Sequence, residues 1–111
     1  MPKDYMKPIT MTSLDTATLA GDYVAINSSG LEKSCVLIRL INDSNRDLTV
    51  SYDGTIPHDY VRAGSTLELN LQANSRPNNK VAQLKAGTVV HVKAAAGTGY
   101  VYLVGYYQPM N

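Results

Sequence analysis

The chain has 111 residues and one cysteine, so it is long enough for one domain with its own core and cannot form an internal disulfide. Its net charge of +1 argues against nucleic acid or an anionic membrane as the main partner. Charged residues make up only 17% of the chain, whereas about 25% is usual in soluble domains. This shortfall suggests that another protein covers part of the surface.

The first segment of the chain, residues 1–17, shows no sustained hydrophobic period and contains Pro2 and Pro8. We predict an extended arm that docks either across its own domain or on a neighbouring subunit; a disordered tail is the alternative. Residues 18–111 then form a single β-sandwich domain. The arm's candidate interface residues are Tyr5, Met6, Ile9 and Met11.

The stretch 35–54 predicts two strands joined by a turn. Residues 35–41 are mostly branched and apolar, which is typical of a strand covered on both faces. Residues 48–52 alternate apolar and polar side chains, as in a strand with one dry face, and Asn and Asp at 42–45 favour a turn. We expect Cys35 to be buried, and Arg39 either to reach a carboxylate across the sheet or to extend its charge to the sheet edge.

Short strands separated by polar turns continue downstream. The clearest is 66–72, in which three leucines alternate with polar residues, and the polar stretch 73–86 is expected to be a loop. The remaining strands are predicted at 18–26, 60–62, 88–94 and 100–107. Because the connections are mostly too short for crossover helices, the predicted fold is all-β: an antiparallel β-sandwich, jelly-roll-like, with the N-terminal arm added.

The last predicted strand has two apolar faces. Val101 and Leu103 share one face, and Tyr100, Tyr102 and Tyr106 share the other. If the first face packs on the core, the second presents a ridge of tyrosines that needs a cover. We therefore predict that the three tyrosines lie in a protein interface, with a homodimer as the expected assembly. The alternative is that they cap the ends of a small core.

Residues that carry catalytic or metal chemistry are sparse. The two histidines, His58 and His91, are too few for a metal-binding jelly roll. His58 and Asp59 beside Tyr60 imitate part of a catalytic relay, but no serine lies in a nucleophile-elbow setting, so we expect Asp59 to cap a turn. The sequence predicts a protein that is not an enzyme and needs no cofactor and no metal.

Residues 41–54 read Ile-Asn-Asp-Ser-Asn-Arg-Asp-Leu-Thr-Val-Ser-Tyr-Asp-Gly, and residues 58–65 read His-Asp-Tyr-Val-Arg-Ala-Gly-Ser. With the chain length, this pattern resembles the capsid cement proteins, also called staple or decoration proteins, of the epsilon-type short-tailed bacteriophages. The likeness spans about residues 35–72. It implies a jelly-roll-like fold, a place on the outer surface of the virion capsid, assembly in the host cytoplasm and the major capsid protein as partner. No individual functional residue is transferred by the resemblance.

The leading hypothesis is therefore a capsid cement protein that binds the outside of the phage shell across junctions between major capsid subunits and stabilises it. The alternative is a receptor- or glycan-binding β module of a virion or cell surface. That role would favour exposed aromatic side chains around a concave site, and the absence of tryptophan counts against it.

Overall fold

Strands with alternating burial form two antiparallel sheets in the computed structural model, which describes residues 7–70 and 84–107. The strands are β1 (Lys7–Pro8), β2 (Thr12–Asp15), β3 (Val24–Ala25), β4 (Leu37–Ser44), β5 (Leu48–Ser51), β6 (Asp59–Val61), β7 (Thr66–Asn70), β8 (His91–Lys93) and β9 (Gly99–Tyr107). The first sheet has the order β1-β9-β4-β7, with β2 also paired to β9, and the second has the order β3-β8-β5-β6. The prediction of an all-β antiparallel sandwich is confirmed, and the jelly-roll connectivity stays a prediction.

The core lies between the inner faces of the two sheets and is built from alternate residues of each strand. On β9, Val101 and Leu103 are almost completely buried, whereas Tyr100 between the turn and Val101 is exposed. The alternation predicted for this strand is therefore confirmed. On the second sheet, Val50 of β5 lies opposite Val92 of β8, and neither is exposed. Burying an aliphatic side chain of this size stabilises a fold by about 1.5 to 3 kcal/mol.

Strand β4 lies in the middle of the first sheet, between β9 and β7. Its first two residues are buried on both faces, as predicted, and burial alternates from Arg39 onward. Arg39 Nε donates to Oε1 of Glu68 on β7 at 3.3 Å, so this arginine reaches a carboxylate across the sheet. Cys35, just before β4, is buried as expected and forms an isolated bridge with Leu84.

The turn predicted at residues 42–45 is displaced in the structure. Strand β4 continues to Ser44, and the chain reverses over residues 45–47 instead. Strands β4 and β5 belong to different sheets, so this reversal crosses from one layer of the sandwich to the other and does not close a hairpin. The Asn-Asp-Ser-Asn pattern marked the right region but could not show that its first residue is inside the core.

The buried amide of Asn42 is the reason for that displacement. Its side chain is 1% exposed, and Nδ2 donates to the carbonyl oxygens of Arg46 at 2.7 Å, Arg62 at 3.1 Å and Val61 at 3.3 Å. Because Val61 ends β6 of the second sheet, these bonds join the two layers. The Ser44 hydroxyl donates to Asn42 Oδ1. A buried polar group left without a partner costs about 1 to 3 kcal/mol, so this amide fixes the crossing.

The described part of the predicted arm, residues 7–17, belongs to the sandwich. Strands β1 and β2 pair antiparallel with β9, with Thr12 opposite Leu103. Leu14 packs against the core, and Thr16 is fully buried with its hydroxyl donating to the first carbonyl of β9 at 2.8 Å. Residues 7–17 therefore lie across their own domain, which is one of the two placements predicted for the arm, and the boundary after residue 17 stays a prediction. In a strand at the edge of a sheet only every second side chain has to be buried. Strands as short as β1 and β2 then contain too few apolar residues for an alternating pattern to be recognised in the sequence.

Residues 18–26 contain less strand than predicted, namely the end of a 3-10 helix (Thr16–Thr18) and the two residues of β3. A buried side chain replaces main-chain pairing just after β3. Asn27 Oδ1 accepts the Val90 N–H at 2.7 Å, and its Nδ2 donates to the Thr88 carbonyl at 3.2 Å. The predicted loop at 73–86 lies mostly outside the described residues, as does the third leucine of the 66–72 strand.

Candidate functional site

The outward side of the first sheet carries a continuous aromatic and aliphatic surface, which we call the tyrosine face. Strand register assembles it, because Ile41 of β4 lies opposite both Tyr102 of β9 and Thr66 of β7. The neighbouring row joins Val104 of β9 to Arg39 of β4. The apolar and aromatic members of the face are Met11, Ile41, Tyr100, Tyr102, Val104 and Tyr106, and Leu37 shares their side of the sheet but is only 9% exposed.

The two leading tyrosines of this face are open to solvent and pack on each other. The rings of Tyr100 and Tyr102 stack with their centroids 6.2 Å apart, and Tyr100 is 46% exposed. Neither hydroxyl makes a hydrogen bond to another residue in the described part of the chain. Half-buried tyrosine rings with unused hydroxyls suit a protein interface, because the ring supplies apolar contact area and the hydroxyl can bond at the rim.

A shallow depression of about 480 Å³ lies on the tyrosine face. Its apolar wall is formed by Ile41 and Tyr102, with Met11, itself 55% exposed, at the edge. The turn before β7, at Gly64 and Ser65, supplies a polar rim. An apolar side chain of a partner would contact Ile41 and Tyr102 here.

One ion pair lies within the face, between Arg39 and Glu68. The two side chains are 37% and 48% exposed, so water and salt screen the pair and it adds little to stability. If a partner covered the face, the pair would lose that screening and would favour one docking register over others. The face therefore combines apolar contact area with one fixed charge pattern.

The structure brings together four of the interface residues predicted from sequence and separates one. Met11, Tyr100 and Tyr102 lie on the tyrosine face, as does the half-buried Tyr106. Ile9 does not, because its side chain packs against the core and its N–H donates to the carbonyl of Gly105 at 2.9 Å. That Ile9 meets a partner stays a prediction. Tyr5 and Met6 lie outside the described residues.

Sequence reasoning missed the β4 contribution to this face. Leu37, Arg39 and Ile41 all point outward, since Ile38, Leu40 and Asn42 between them are buried. Arg39, the single charge in the run 35–41, was the available signal. An arginine in a central strand indicates which alternate side chains point outward. The six apolar residues of the run 35–41 concealed this signal.

The second sheet is different, because its polar side chains hold a loop. Asp53 Oδ1 accepts the N–H groups of Thr55 at 2.8 Å and Ile56 at 3.0 Å. Together with a hydrogen bond from the Ser51 hydroxyl, these bonds hold the pKa of Asp53 well below its usual range, and the bond from Ile56 contributes most. The turn cap is thus Asp53, and the expected cap at Asp59 is wrong.

Asp59 instead binds a tyrosine across the same loop. The Tyr52 hydroxyl donates to Asp59 Oδ2 at 2.7 Å, and burial followed by this hydrogen bond raises the pKa of Tyr52. The Tyr52 N–H donates to His58 Nδ1 at 3.0 Å, and the two rings stack 5.5 Å apart. The His-Asp-Tyr group that imitated a catalytic relay is therefore used to fasten residues 52–59.

Tyr60, on the outward side of β6, is fastened in the same way. Its hydroxyl donates to Asp47 Oδ2 at 2.8 Å, and Asp47 Oδ1 accepts the Ala63 N–H at 2.9 Å. The bond from Ala63, then that from Tyr60, lowers the pKa of Asp47. Tyr60 is 56% exposed beside a shallow depression lined by Thr49, Pro57, His58 and Asp59.

Within residues 7–70 and 84–107, no three His, Cys, Asp or Glu side chains lie close enough together to hold a metal ion. The same ranges contain no helix with the length and hydropathy to cross a bilayer.

No protein-family model matches the chain, and no curated protein is similar to it in sequence. Among solved structures, it is similar to a chain described under the words "Bacillus endospore appendages form a novel family of disulfide-linked pili". The identity is 11%, the TM-score is 0.49, and the match covers 97% of this chain and 90% of that chain. A likeness this distant carries no argument about function.

Proposed function

We propose that this protein is a capsid cement protein, a non-enzymatic structural protein that binds the outer surface of a phage shell across junctions between major capsid subunits. The observation that carries the proposal is the tyrosine face. It exposes apolar and aromatic side chains on the adjacent strands β9 and β4 of a small, sparsely charged domain, with Met11 beside them. Exposed apolar patches of this kind mark sites of protein contact.

The mechanism is additive. A specific interface buries about 800 Å² on each partner, and a sheet face that includes strands β9, β4 and β7 can supply a contact of that order. A homodimer would place two such contacts on neighbouring capsid subunits. The second contact then becomes intramolecular, so moderate single affinities combine into a strong clamp. A shell held in this way resists expansion and disassembly.

The resemblance of residues 41–54 and 58–65 to epsilon-type cement proteins supports the same partner. In the structure these two segments form β5, β6, the end of β4 and their connections. They therefore account for the layer crossing and most of the second sheet, while the tyrosine face lies largely outside them. The resemblance bears on the fold and the family, and the tyrosine face bears on the contact.

Co-sedimentation tests the proposal. Purified protein is mixed with shells of an epsilon-type phage that lack their cement protein, and bound protein is measured after centrifugation. We expect saturable binding and an increase in the temperature at which the shells break. Protein that stays in the supernatant at all concentrations would contradict the proposal.

A receptor- or glycan-binding module is the second candidate. The observation that favours it is the exposed ring of Tyr60 beside a hydroxyl, an imidazole and a carboxylate in one shallow depression. A glycan array separates the candidates. Binding on the array that is lost in Tyr60→Ser and retained in Tyr102→Ser would favour this function over capsid cementing.

A further inference from the structure

A second concave site, which we call the edge groove, opens between β2 and the loop that follows β3. Its volume is about 390 Å³, which lies within the usual range for ligand sites in proteins. The floor is aliphatic and comes from both layers of the sandwich, through Ile9, Ile26, Leu31 and Leu103. None of the apolar or aromatic residues of the tyrosine face lines this groove, so the two sites are separate.

The groove walls are rich in hydroxyl groups, contributed by Thr10, Thr12, Ser13, Ser28 and Ser29. The hydroxyl of Thr12 is buried, and it makes no hydrogen bond to any described residue. Buried polar groups in proteins nearly always have a partner. The Thr12 oxygen has almost no accessible surface, so the hydroxyl groups that a bound molecule can reach are those of the exposed Thr10, Ser13, Ser28 and Ser29.

Glu32 is the one charged residue among those that line the groove. Its Oε1 accepts the N–H of Thr10 at 2.7 Å, and this bond lowers the pKa of Glu32. The side chain is therefore a carboxylate at neutral pH. The Thr10 hydroxyl and the charge of the neighbouring Lys33 also lower this pKa, and Lys33 Nζ lies over the ring of Tyr107.

We infer that the edge groove binds a lysine side chain presented by a partner protein. The methylene groups of a lysine would lie along the aliphatic floor, as lysine stems do on apolar surfaces. Its ammonium group would bind the exposed carboxylate of Glu32. This interaction combines charge complementarity with burial of the apolar stem.

The geometry favours lysine over other ligands. Arginine binds carboxylates best through two parallel hydrogen bonds, and one oxygen of Glu32 is already used by Thr10. Lysine requires only one oxygen, because its ammonium is a compact charge. No aromatic side chain lines the groove, so a sugar ring would have no stacking platform there.

The inference deepens the proposed function, on which it rests for the identity of the partner as a shell protein. The tyrosine face would supply the broad contact, and the edge groove would anchor one lysine of the same partner. Such an anchor would make binding sensitive to salt, since added ions screen a partly exposed ion pair.

Peptide titration tests the groove directly. The full chain, labelled with ¹⁵N, is titrated with acetyl-Val-Lys-Val-amide and with the matched peptide that carries norleucine in place of lysine. We expect the lysine peptide to shift amide signals of residues 9–13 and 26–32 and to bind about tenfold more tightly than its neutral counterpart, as a charge-assisted hydrogen bond predicts.

Two variants and one control define the outcome. Glu32→Gln keeps the bond from Thr10 and should abolish the preference for lysine, whereas Asp22→Asn, an equal charge change at another exposed turn, should leave it intact. Ser29→Trp fills the groove and should weaken both peptides. Equal binding of the two peptides by the parent chain, or equal effects of the two charge variants, would overturn the inference.

The shell assay separates this failure from failure of the proposed function. If the chain binds shells but does not prefer the lysine peptide, the inference about the edge groove is wrong and the proposed function stands. If the chain prefers the lysine peptide but never binds shells, the lysine site in the edge groove stands and the proposed function is wrong.

Discussion

The two outward faces of this sandwich are built from similar strands and differ in how their aromatic side chains are used. On the first sheet, Tyr100 and Tyr102 stack on each other, and their hydroxyls make no bond to other described residues. On the second sheet, Tyr60 is tied to Asp47 and Lys93 lies over the ring of Tyr23. The tyrosine hydroxyls of the first face therefore have no partner among the described residues. The aromatic side chains of the second face are held by contacts with residues of the same sheet.

This difference shows how a small domain divides stability from binding. The second sheet secures its own loops through carboxylates such as Asp53, which bonds two main-chain N–H groups. The first sheet takes its stability from its inner side, where Val101 and Leu103 are buried, and under the proposed function its outer side binds the shell. Substitutions in the core that the two sheets share should affect both faces, and substitutions on one outward face should affect that face alone.

The largest effect should come from the shared interior. Leu103→Ala removes a side chain that is almost completely buried and should lower the free energy of unfolding by about 2 to 5 kcal/mol. Both faces should lose order together, because their strands pack on the same core. Urea unfolding measures the change, with the exposed Ile56→Ala as control, expected within about 0.5 kcal/mol of the parent. An unchanged midpoint for Leu103→Ala would contradict the burial of this strand.

The next largest effect should come from the polar link between the layers. Asn42→Ala leaves the carbonyl oxygens of Arg46, Val61 and Arg62 without their shared donor and should cost about 2 to 3 kcal/mol. Asn45→Ala is the matched control, because its side chain is exposed and accepts one bond, from the Thr98 N–H. Equal losses in the two variants by urea unfolding would show that Asn42 does not join the sheets.

Binding should change by less and on one face alone. Tyr102→Ser removes a ring from the depression of the tyrosine face and should weaken shell binding at least tenfold, about 1.4 kcal/mol, with the fold retained by circular dichroism. Tyr60→Ser makes the same chemical change on the second sheet and should leave shell binding unaltered. Unfolding of Tyr102→Ser would make this tyrosine a core residue and would contradict its assignment to the contact surface.

The smallest effect should be a dependence on acid that is confined to the second sheet. The folded-state pKa of Asp53 is lowered because the carboxylate accepts main-chain hydrogen bonds. Its contribution to stability is therefore complete above the ordinary aspartate pKa of about 3.9 and is lost as the pH falls below it.

Asp53→Asn tests this effect, since it should lower the urea midpoint at pH 7 and reduce the further loss between pH 5 and acid, a window set by the ordinary aspartate pKa of about 3.9. Asp22→Asn provides the same charge change without the loop and should follow the parent. Identical dependence of the urea midpoint on pH in the parent and in Asp53→Asn would show that Asp53 does not stabilise the loop.

Much of the fold follows from local pattern in the sequence. The alternation of Val101 and Leu103 with tyrosines predicted both faces of β9, and the alternation at residues 48–52 predicted β5. These strands are recognisable because each has one wholly buried face, and burial is what a period of two reports. The outward tyrosines on β9 followed from the same parity.

Features that depend on distant residues could not be predicted in this way. The layer crossing at residues 45–47 depends on Asn42 meeting carbonyl groups about 20 positions away, and β2 is a strand only because β9 lies beside it. Ile41 joins the tyrosine face through its register with Tyr102. Local propensity contains no information about such pairings.

The most direct test of the tyrosine face as the contact surface is hydroxyl-radical footprinting of the protein free and bound to phage shells. Oxidation rates of Met11, Tyr100, Tyr102 and Tyr60 are measured by mass spectrometry in both states. We predict that binding protects the first three and leaves Tyr60 as reactive as in the free protein. Protection of Tyr60, with Tyr100 and Tyr102 unchanged, would contradict the tyrosine face as the site that binds the shell.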